Sequence, residues 1–359
     1  MRLEARAELS RGWTLAAPFI AVLFTLAAGS LLVAWAGAPI ASAAALLVEG
    51  AFGSRLAVSE TLTRATPLIL TGLAAAIAFR ARLFNIGAEG QLYLGALAAV
   101  AVGGQHANGL WAPLAALPLP ALQALMVLAG AAAGALWLLG PAWLKLRFGV
   151  DEVVTTLLMN FIALLLVSLL LDGAMKDPLA MGWPQSVALQ PELEYARLLE
   201  RSRVHAGLLW ALALALLLWA LLRFTTFGFA LRAVGANARA AAFAGQPVTR
   251  VMLGVALMSG ALAGLAGVGE VAGRTGYVTL DMSPGYGTSG LVIALLAGLH
   301  PLGVVVAALF VASVLVGADS MGRALGVPTY IADVTVAVAL LSMLVATVAA
   351  RYRLRWGRE

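Results

Sequence analysis

The stretch LFNIGAEGQLYLGA, residues 83–96, sets Asn85, Glu89 and Gln91 between Arg80 and Arg82 on one side and a long apolar run on the other. Gly87 and Gly90 flank the glutamate. Glycine weakens a helix, and asparagine bonds nearby backbone in preference to continuing one, so a helix break is predicted here. A break exposes N–H and C=O groups that lipid cannot satisfy. At membrane depth it is tolerated only where protein or a water-filled cavity surrounds it. The alternative is a turn outside the hydrocarbon in which Glu89 pairs with Arg80 or Arg82. Choosing between them requires the setting of the whole chain.

That setting is lipid. Of 359 residues, 62% are hydrophobic and 11% charged, with a mean hydropathy of +0.96. A soluble globular protein carries about 25% charged residues, so too little polar surface remains here to cover a water-exposed globule. Windows of about 20 apolar residues give about ten candidate helices, near 13–37, 62–80, 88–104, 119–141, 153–172, 206–223, 250–270, 288–299, 301–318 and 329–350. The fold class is therefore an all-α polytopic membrane protein forming a single transmembrane domain over 1–359. The run from Trp13 to Ala36 exceeds the apolar core of a signal peptide and reads as a retained helix.

Cations gather at cytoplasmic helix ends. With the N-terminus inside, most of the 23 Lys and Arg fall on that side, from Arg2, Arg6 and Arg11 through Arg80, Arg82, Lys145 and Arg147 to Arg351, Arg353, Arg355 and Arg358. Both termini then face the cytoplasm. The basic balance reflects topology, not nucleic-acid binding. Two loops interrupt the spans. An extracytoplasmic loop, 173–205, has mixed charge and a candidate short helix from Glu192 to Arg201. A cytoplasmic loop, 224–249, has an alanine-rich middle, Ala230 to Ala244, that favours helix until Gly245, Gln246 and Pro247 stop it. This helix is either a surface connector or a docking element.

The chain contains no cysteine, which excludes disulfides, thiolate metal sites and cysteine nucleophiles. His106, His205 and His300 are too scattered to suggest a metal site. No G-x-x-x-x-G-K-[ST], H-E-x-x-H or G-x-S-x-G occurs, so nucleotide cradling and the usual hydrolase chemistries are absent. The chain reads as no enzyme, with no cofactor of its own. GAAAG (130–134), GALAG (260–264) and GEVAG (269–273) are small-xxx-small patterns for close helix packing, within the chain or between copies.

Polar residues at membrane depth are costly and mark function. The candidates are Asn85, Glu89, Gln91, Asn160, Glu270 and the run DMSPGYGTSG (281–290), which contains Ser289. Asn160 could instead bridge two helices, and Glu270 could be solvated at a helix end. Gly/Pro-interrupted segments in both halves of a transporter point to a midplane substrate site.

The stretches ETLTRATPLILTGLAAAIAFRARLFNIGAEGQLYLGALAA (60–99), GVDEVVTTLLMNFIALLL (149–166), LRAVGANARAAAFAG (231–245), SGALAGLAGVGEVAG (259–273) and GYGTSGLVIALLAGLHPLGVVVAALFVA (285–312) together resemble the permease subunits of bacterial nucleoside-type ABC importers. These belong to the branched-chain amino acid and simple-sugar permease group. The resemblance covers most of 51–341 and departs at Arg82, where a small residue such as glycine is expected. It implies a multi-pass subunit of the bacterial cytoplasmic membrane with the ABC importer permease fold. Its partners would be a second permease (a paralogue or a second copy), a cytoplasmic ATPase that binds the ATP, and an extracytoplasmic substrate-binding lipoprotein. Asn85, Glu89, Gln91, Asn160 and Ser289 would lie on or beside a nucleoside path. Arg232, Gly235, Asn237, Arg239 and Gly245 would belong to the coupling helix, its two arginines meeting the ATPase or anionic lipid. The alternatives are a permease for simple sugars or branched-chain amino acids, or an ion-coupled carrier.

Overall fold

The computed structural model describes residues 2–5, 39–105, 117–326 and 352–355, with scattered positions between 23 and 37 and between 334 and 346. The expected spans 13–37 and 329–350 lie largely outside the described residues, as does His106. The chain divides into two compact units, one of Met1–Thr61 with Leu309–Glu359, the other Leu62–Ala308.

The helices are α1 (Ile40–Phe52), α2 (Arg55–Arg80), α3 (Ala88–Gly103), α4 (Leu119–Phe148), α5 (Glu152–Asp172), α6 (Gly207–Phe224), α7 (Thr226–Ala236), α8 (Ala238–Phe243), α9 (Val248–Glu270), α10 (Tyr286–Leu296) and α11 (Pro301–Leu325). Their ends follow from local chemistry. Gly149 takes a left-handed conformation (φ 68°) and closes α4 onto the Lys145 carbonyl. Asp151 then caps α5 by accepting from the Val153 amide at 2.8 Å. A π-turn, Val271–Thr275, prolongs α9.

Among the described residues, six helices are long and apolar enough to cross a membrane: Arg55–Arg80, Leu119–Phe148, Glu152–Asp172, Gly207–Phe224, Val248–Thr275 and Pro301–Leu325. The regions expected to span at 88–104 and 288–299 form the shorter helices α3 and α10, about 24 Å and 16 Å long at 1.5 Å per residue. Helix α1, with 13 residues, is too short for a 20-residue window to reveal. The described residues also include one short antiparallel ribbon, β1 (Arg2–Ala5) with β2 (Tyr352–Arg355), pairing Arg2 with Arg355 and Ala5 with Tyr352. It departs from a purely helical reading.

In the first unit, Gly317 of α11 packs against the Leu47 carbonyl of α1, and Gly50 against Ser320. In the second, glycines bring α3, α4 and α9 into backbone contact. A Cβ on Gly134 would strike the Gly260 carbonyl, one on Gly260 the Gly134 carbonyl, and one on Gly264 the Gly130 carbonyl. Gly95 and Gly267 do the same between α3 and α9. The 130–134 and 260–264 motifs thus serve packing within the chain. Gly273, from the third motif, makes room for the His205 imidazole instead.

The 173–205 loop is extended, not helical. Only a 3-10 turn, Pro191–Leu193, stands where a helix from Glu192 was expected, because the Tyr195 amide donates to Ala272 (2.7 Å) and so ties the strand to the end of α9. Bridges join Gly104 to Leu189, Gln185 to Thr279 and Arg197 to His205. His205 is buried, stacked on Tyr195 with ring centroids 5.9 Å apart, and its Nδ1 accepts from the Gly207 amide at 3.2 Å.

Burial disfavours the imidazolium and pushes His205 down to about 4, against about 6.5 in an unfolded chain. Between those values the unfolded loop takes up a proton that the folded loop refuses, so stability is full above about pH 6.5 and declines toward pH 4. Amide exchange of residues 195–207, corrected for its intrinsic pH dependence, should therefore accelerate on acidification, and His205→Gln should flatten the response. Equal protection at pH 7.5 and pH 5 in the unmodified protein would refute the burial argument.

Candidate functional site

The break predicted at 83–96 is real, and the amides from Arg82 to Gly87 all find acceptors. Helix α2 closes with the Arg82 amide on the Phe79 carbonyl (3.0 Å) and the Leu83 amide on Ala78 (2.9 Å). This is the pattern of a helix C-terminus whose exit residue is left-handed. Arg82 holds that position at φ 56°, which explains why a residue without a Cβ is expected there. Residues beyond it are not helical until Ala88.

Helix α5 supplies the partners that the break lacks. Glu152 accepts from the Phe84 amide (3.3 Å), Thr156 from the Ile86 amide (3.2 Å) and Asn160 from the Gly90 amide (2.5 Å). Residues four apart share one face of a helix, so these three form a polar ladder along α5. Lys145 closes its lower rung, pairing with Glu152 and donating to the Arg82 carbonyl. On the other side of the break, Asn85 and Gln91 exchange reciprocal amide hydrogen bonds, both 2.9 Å. Asn85 also donates to Ser259 Oγ (3.1 Å) and accepts from the Gly87 amide (3.1 Å). Ser259 in turn donates to the Ala74 carbonyl at 2.8 Å. Every polar atom of the Asn85 side chain is occupied, and the residue is wholly buried. Asn160 does bridge two helices, α5 and α3.

Glu89 takes neither expected arginine. Its carboxylate accepts from the Gly287 amide at 2.5 Å, in the first turn of α10. A Cβ on Gly287 would overlap the Glu89 backbone. Helices α3 and α10 thus meet N-terminus to N-terminus, and the carboxylate sits between their two positive dipole ends. The segment leading to α10 is tied to the flank of α3, where Tyr93 donates to the Leu280 carbonyl (2.5 Å) and accepts from the Ser283 amide (3.4 Å). Thr71 of α2 adds a bond to the Tyr286 carbonyl at 2.9 Å. Ser289 is buried one turn into α10. Glu270 is buried rather than solvated; it pairs with Arg274 across the π-turn, and Arg274 also donates to the Tyr286 hydroxyl at 3.3 Å. Thr156, Ser259, Tyr93 and Arg274 were not singled out from the sequence.

The 224–249 loop differs from its expected form. In place of one helix over 230–244 there are two, α7 and α8, broken at Asn237 (φ −157°, ψ 107°). Asn237 accepts from the Arg239 and Ala240 amides (3.0 and 3.1 Å), starting a new helix where alanine propensity alone would have continued the old one. Arg232 and Arg239 therefore do not share one helix face. Arg232 donates to the Leu222 carbonyl at the end of α6, while Arg239 is exposed. Gly235 is not open to a partner, because a Cβ there would strike the Arg80 carbonyl. Gly245 ends α8 at φ 80°. Phe243, 97% exposed, is the apolar residue that α8 presents outward.

A family model described as branched-chain amino acid transport system / permease component matches residues 57–348. The guanosine ABC transporter permease protein NupP of Bacillus subtilis is 39% identical, over 90% of this chain and 91% of its own. The glucose ABC transporter permease protein TsgB13 of Haloferax volcanii is 37% identical over 98% and 93%. The nucleoside ABC transporter permease protein NupB of Lactococcus lactis is 30% identical over 89% and 88%. No solved structure matches.

Thr156→Val keeps the shape of the middle rung but orphans the Ile86 amide. An unsatisfied buried donor costs about 1–3 kcal/mol, so thermal unfolding in detergent should shift down by that amount and Thr156→Ser should recover most of it. A valine variant as stable as the parent would show that the ladder does not hold the break.

Proposed function

The chain belongs to the branched-chain amino acid transport system / permease component family, and we propose that it forms the transmembrane path of an ATP-driven importer for nucleosides. It is an integral protein of the cytoplasmic membrane and a permease component, not an enzyme; hydrolysis is the task of a separate ATPase subunit. The family also implies a substrate-binding partner. The observation that carries the transport reading is the meeting of two short helices at Glu89 and Gly287. Irregular backbone inside a membrane protein is tolerated where protein or a water-filled path surrounds it, and transporter substrate sites are built at such interrupted helices.

Nucleosides are the substrate class because two of the three relatives above are named for guanosine or nucleosides. The glucose relative favours a second reading, sugar import. Both substrate types are uncharged and carry vicinal hydroxyls on a sugar ring. Asn85, Gln91 and Asn160 lie beside the path and fix its wall, with Glu89 and Ser289 nearest the junction. The mate is a second permease, a paralogue or another copy.

Ten spans with both termini cytoplasmic agree with the pairing of residues 2–5 with 352–355, since paired termini lie on one side and demand an even number of crossings. The end bearing Arg80, Lys145 and Arg239 is then cytoplasmic and the 173–205 loop is outside. The 224–249 loop couples to the ATPase through α8, with Arg239 and Phe243 outward. Arg232, Gly235, Asn237 and Gly245 shape and seat the two helices. ATP is bound by the partner, and this chain holds no cofactor.

The test is uptake by cells expressing the whole complex. Labelled guanosine should enter in an ATP-dependent manner, with excess unlabelled nucleosides suppressing it at least about 10-fold while glucose and leucine do not. Suppression by glucose alone would favour the sugar reading, and uptake that persists without the ATPase would defeat the importer assignment.

A further inference from the structure

Between the π-turn and α10 the chain turns back along α3, and its two edges differ. Val278, Met282 and Tyr286 are buried, whereas Leu280, Asp281, Pro284 and Thr288 are exposed. The depth of this stretch is set by Tyr93, whose hydroxyl bonds Leu280 and Ser283 on either side of Asp281. Tyr93 lies about 15 Å along α3 from Gly103, at 1.5 Å per residue. Neighbouring helices agree. Gly267 of α9, seated on the Leu92 carbonyl, is about 12 Å from Thr275, and Gly130 of α4, packed near the Gly95 carbonyl, is about 16 Å from Leu119. Half of a hydrocarbon core about 30 Å thick is the same distance. Thr279, two residues before Asp281, is bridged to Gln185 of the 173–205 loop, so Asp281 stands between that loop and the Glu89–Gly287 junction.

Its carboxylate accepts no hydrogen bond and forms no ion pair among the described residues. The other two acids in this region are engaged, Glu89 with Gly287 and Glu270 with Arg274. An exposed, unpaired carboxylate between the loop and that junction faces water or a bound ligand rather than lipid. We infer that Asp281 projects into the substrate path and accepts hydrogen bonds from the vicinal hydroxyls of the substrate's sugar ring. This rests on the nucleoside reading above. A carboxylate offers two oxygens with no donor of its own, which matches a pair of adjacent hydroxyls. Such bonds to a charged acceptor are the stronger kind. A site built to meet hydroxyls rejects analogues that lack them, because its own polar group is left unpaired. Thr288, also exposed, donates its hydroxyl proton to the Gly285 carbonyl (2.9 Å), so its oxygen is left to act as an acceptor.

The test uses the assembled complex. ATP-dependent uptake of a ribonucleoside and of its 2′,3′-dideoxy counterpart is compared in the parent and in Asp281→Asn and Asp281→Ala. The parent should prefer the ribonucleoside roughly 10-fold or more. Asp281→Ala should bring the ratio close to one by losing ribonucleoside uptake, with Asp281→Asn between. An unchanged ratio overturns the contact. So does an equal loss of both substrates together with loss of the second permease on purification, which would assign Asp281 to a subunit interface. A second arm needs no substrate. Asp281→Cys, in a chain that has no other cysteine, should react with a charged, water-soluble thiol reagent in nanodiscs. Leu165→Cys, equally outward on α5 but in an apolar face, should not. Protection of Asp281→Cys overturns the placement in the path. A parent complex that imports neither nucleoside overturns the substrate class and the hydroxyl contact with it, while labelling still supports the aqueous placement.

Discussion

The structure turns on one constraint: the backbone between Arg80 and Ala88 leaves its helix inside an apolar protein, and every amide it frees needs a partner. Helix α5 serves the Phe84, Ile86 and Gly90 amides from Glu152, Thr156 and Asn160, one per turn, and the Asn85–Gln91 pair locks the other side. Because the break is held rigidly, α3 starts at a fixed depth and direction. Its first turn then meets α10 head to head, with the Glu89 carboxyl accepting from the Gly287 amide between the two opposed dipole ends. Without those partners the break would expose unbonded amides, and the junction would lose its position.

Close packing around the junction has a similar origin. Six glycines, Gly95, Gly130, Gly134, Gly260, Gly264 and Gly267, remove the side chains that would keep α3, α4 and α9 apart. With no hydrophobic drive between helices in lipid, such contact is what packing can offer. It leaves the outward faces of α5 and α6 apolar, with Phe161, Leu165, Trp210 and Leu217 exposed, as suits lipid or a second permease. The rigid core and the irregular re-entrant stretch are thus built from complementary devices.

Much of this was legible in the sequence. Gly87, Gly90 and Asn85 announced the break, hydropathy located the long helices, and Gly245 marked the end of the cytoplasmic-type helix. What was not legible was pairing at long range. No local periodicity states that Glu89 bonds Gly287 or that Asn85 bonds Ser259, so the nearby arginines looked like the natural partners for the glutamate. The four-residue spacing of Glu152, Thr156 and Asn160 was readable, yet it acquires meaning only opposite a broken strand. At Asn237 alanine propensity suggested one helix, and a single side-chain cap made two. Gly235 could be read as a point of close approach, but not that the approaching group is the Arg80 carbonyl of its own chain.

The most direct test of this account is the position of a nucleoside trapped in an experimental structure of the assembled importer. The account requires the substrate to lie against the exposed edge formed by Asp281, Pro284 and Thr288, with Asn85 and Gln91 still bonded to one another behind the wall. A nucleoside hydrogen-bonded to Asn85 or Gln91, with their reciprocal pair broken, would contradict it.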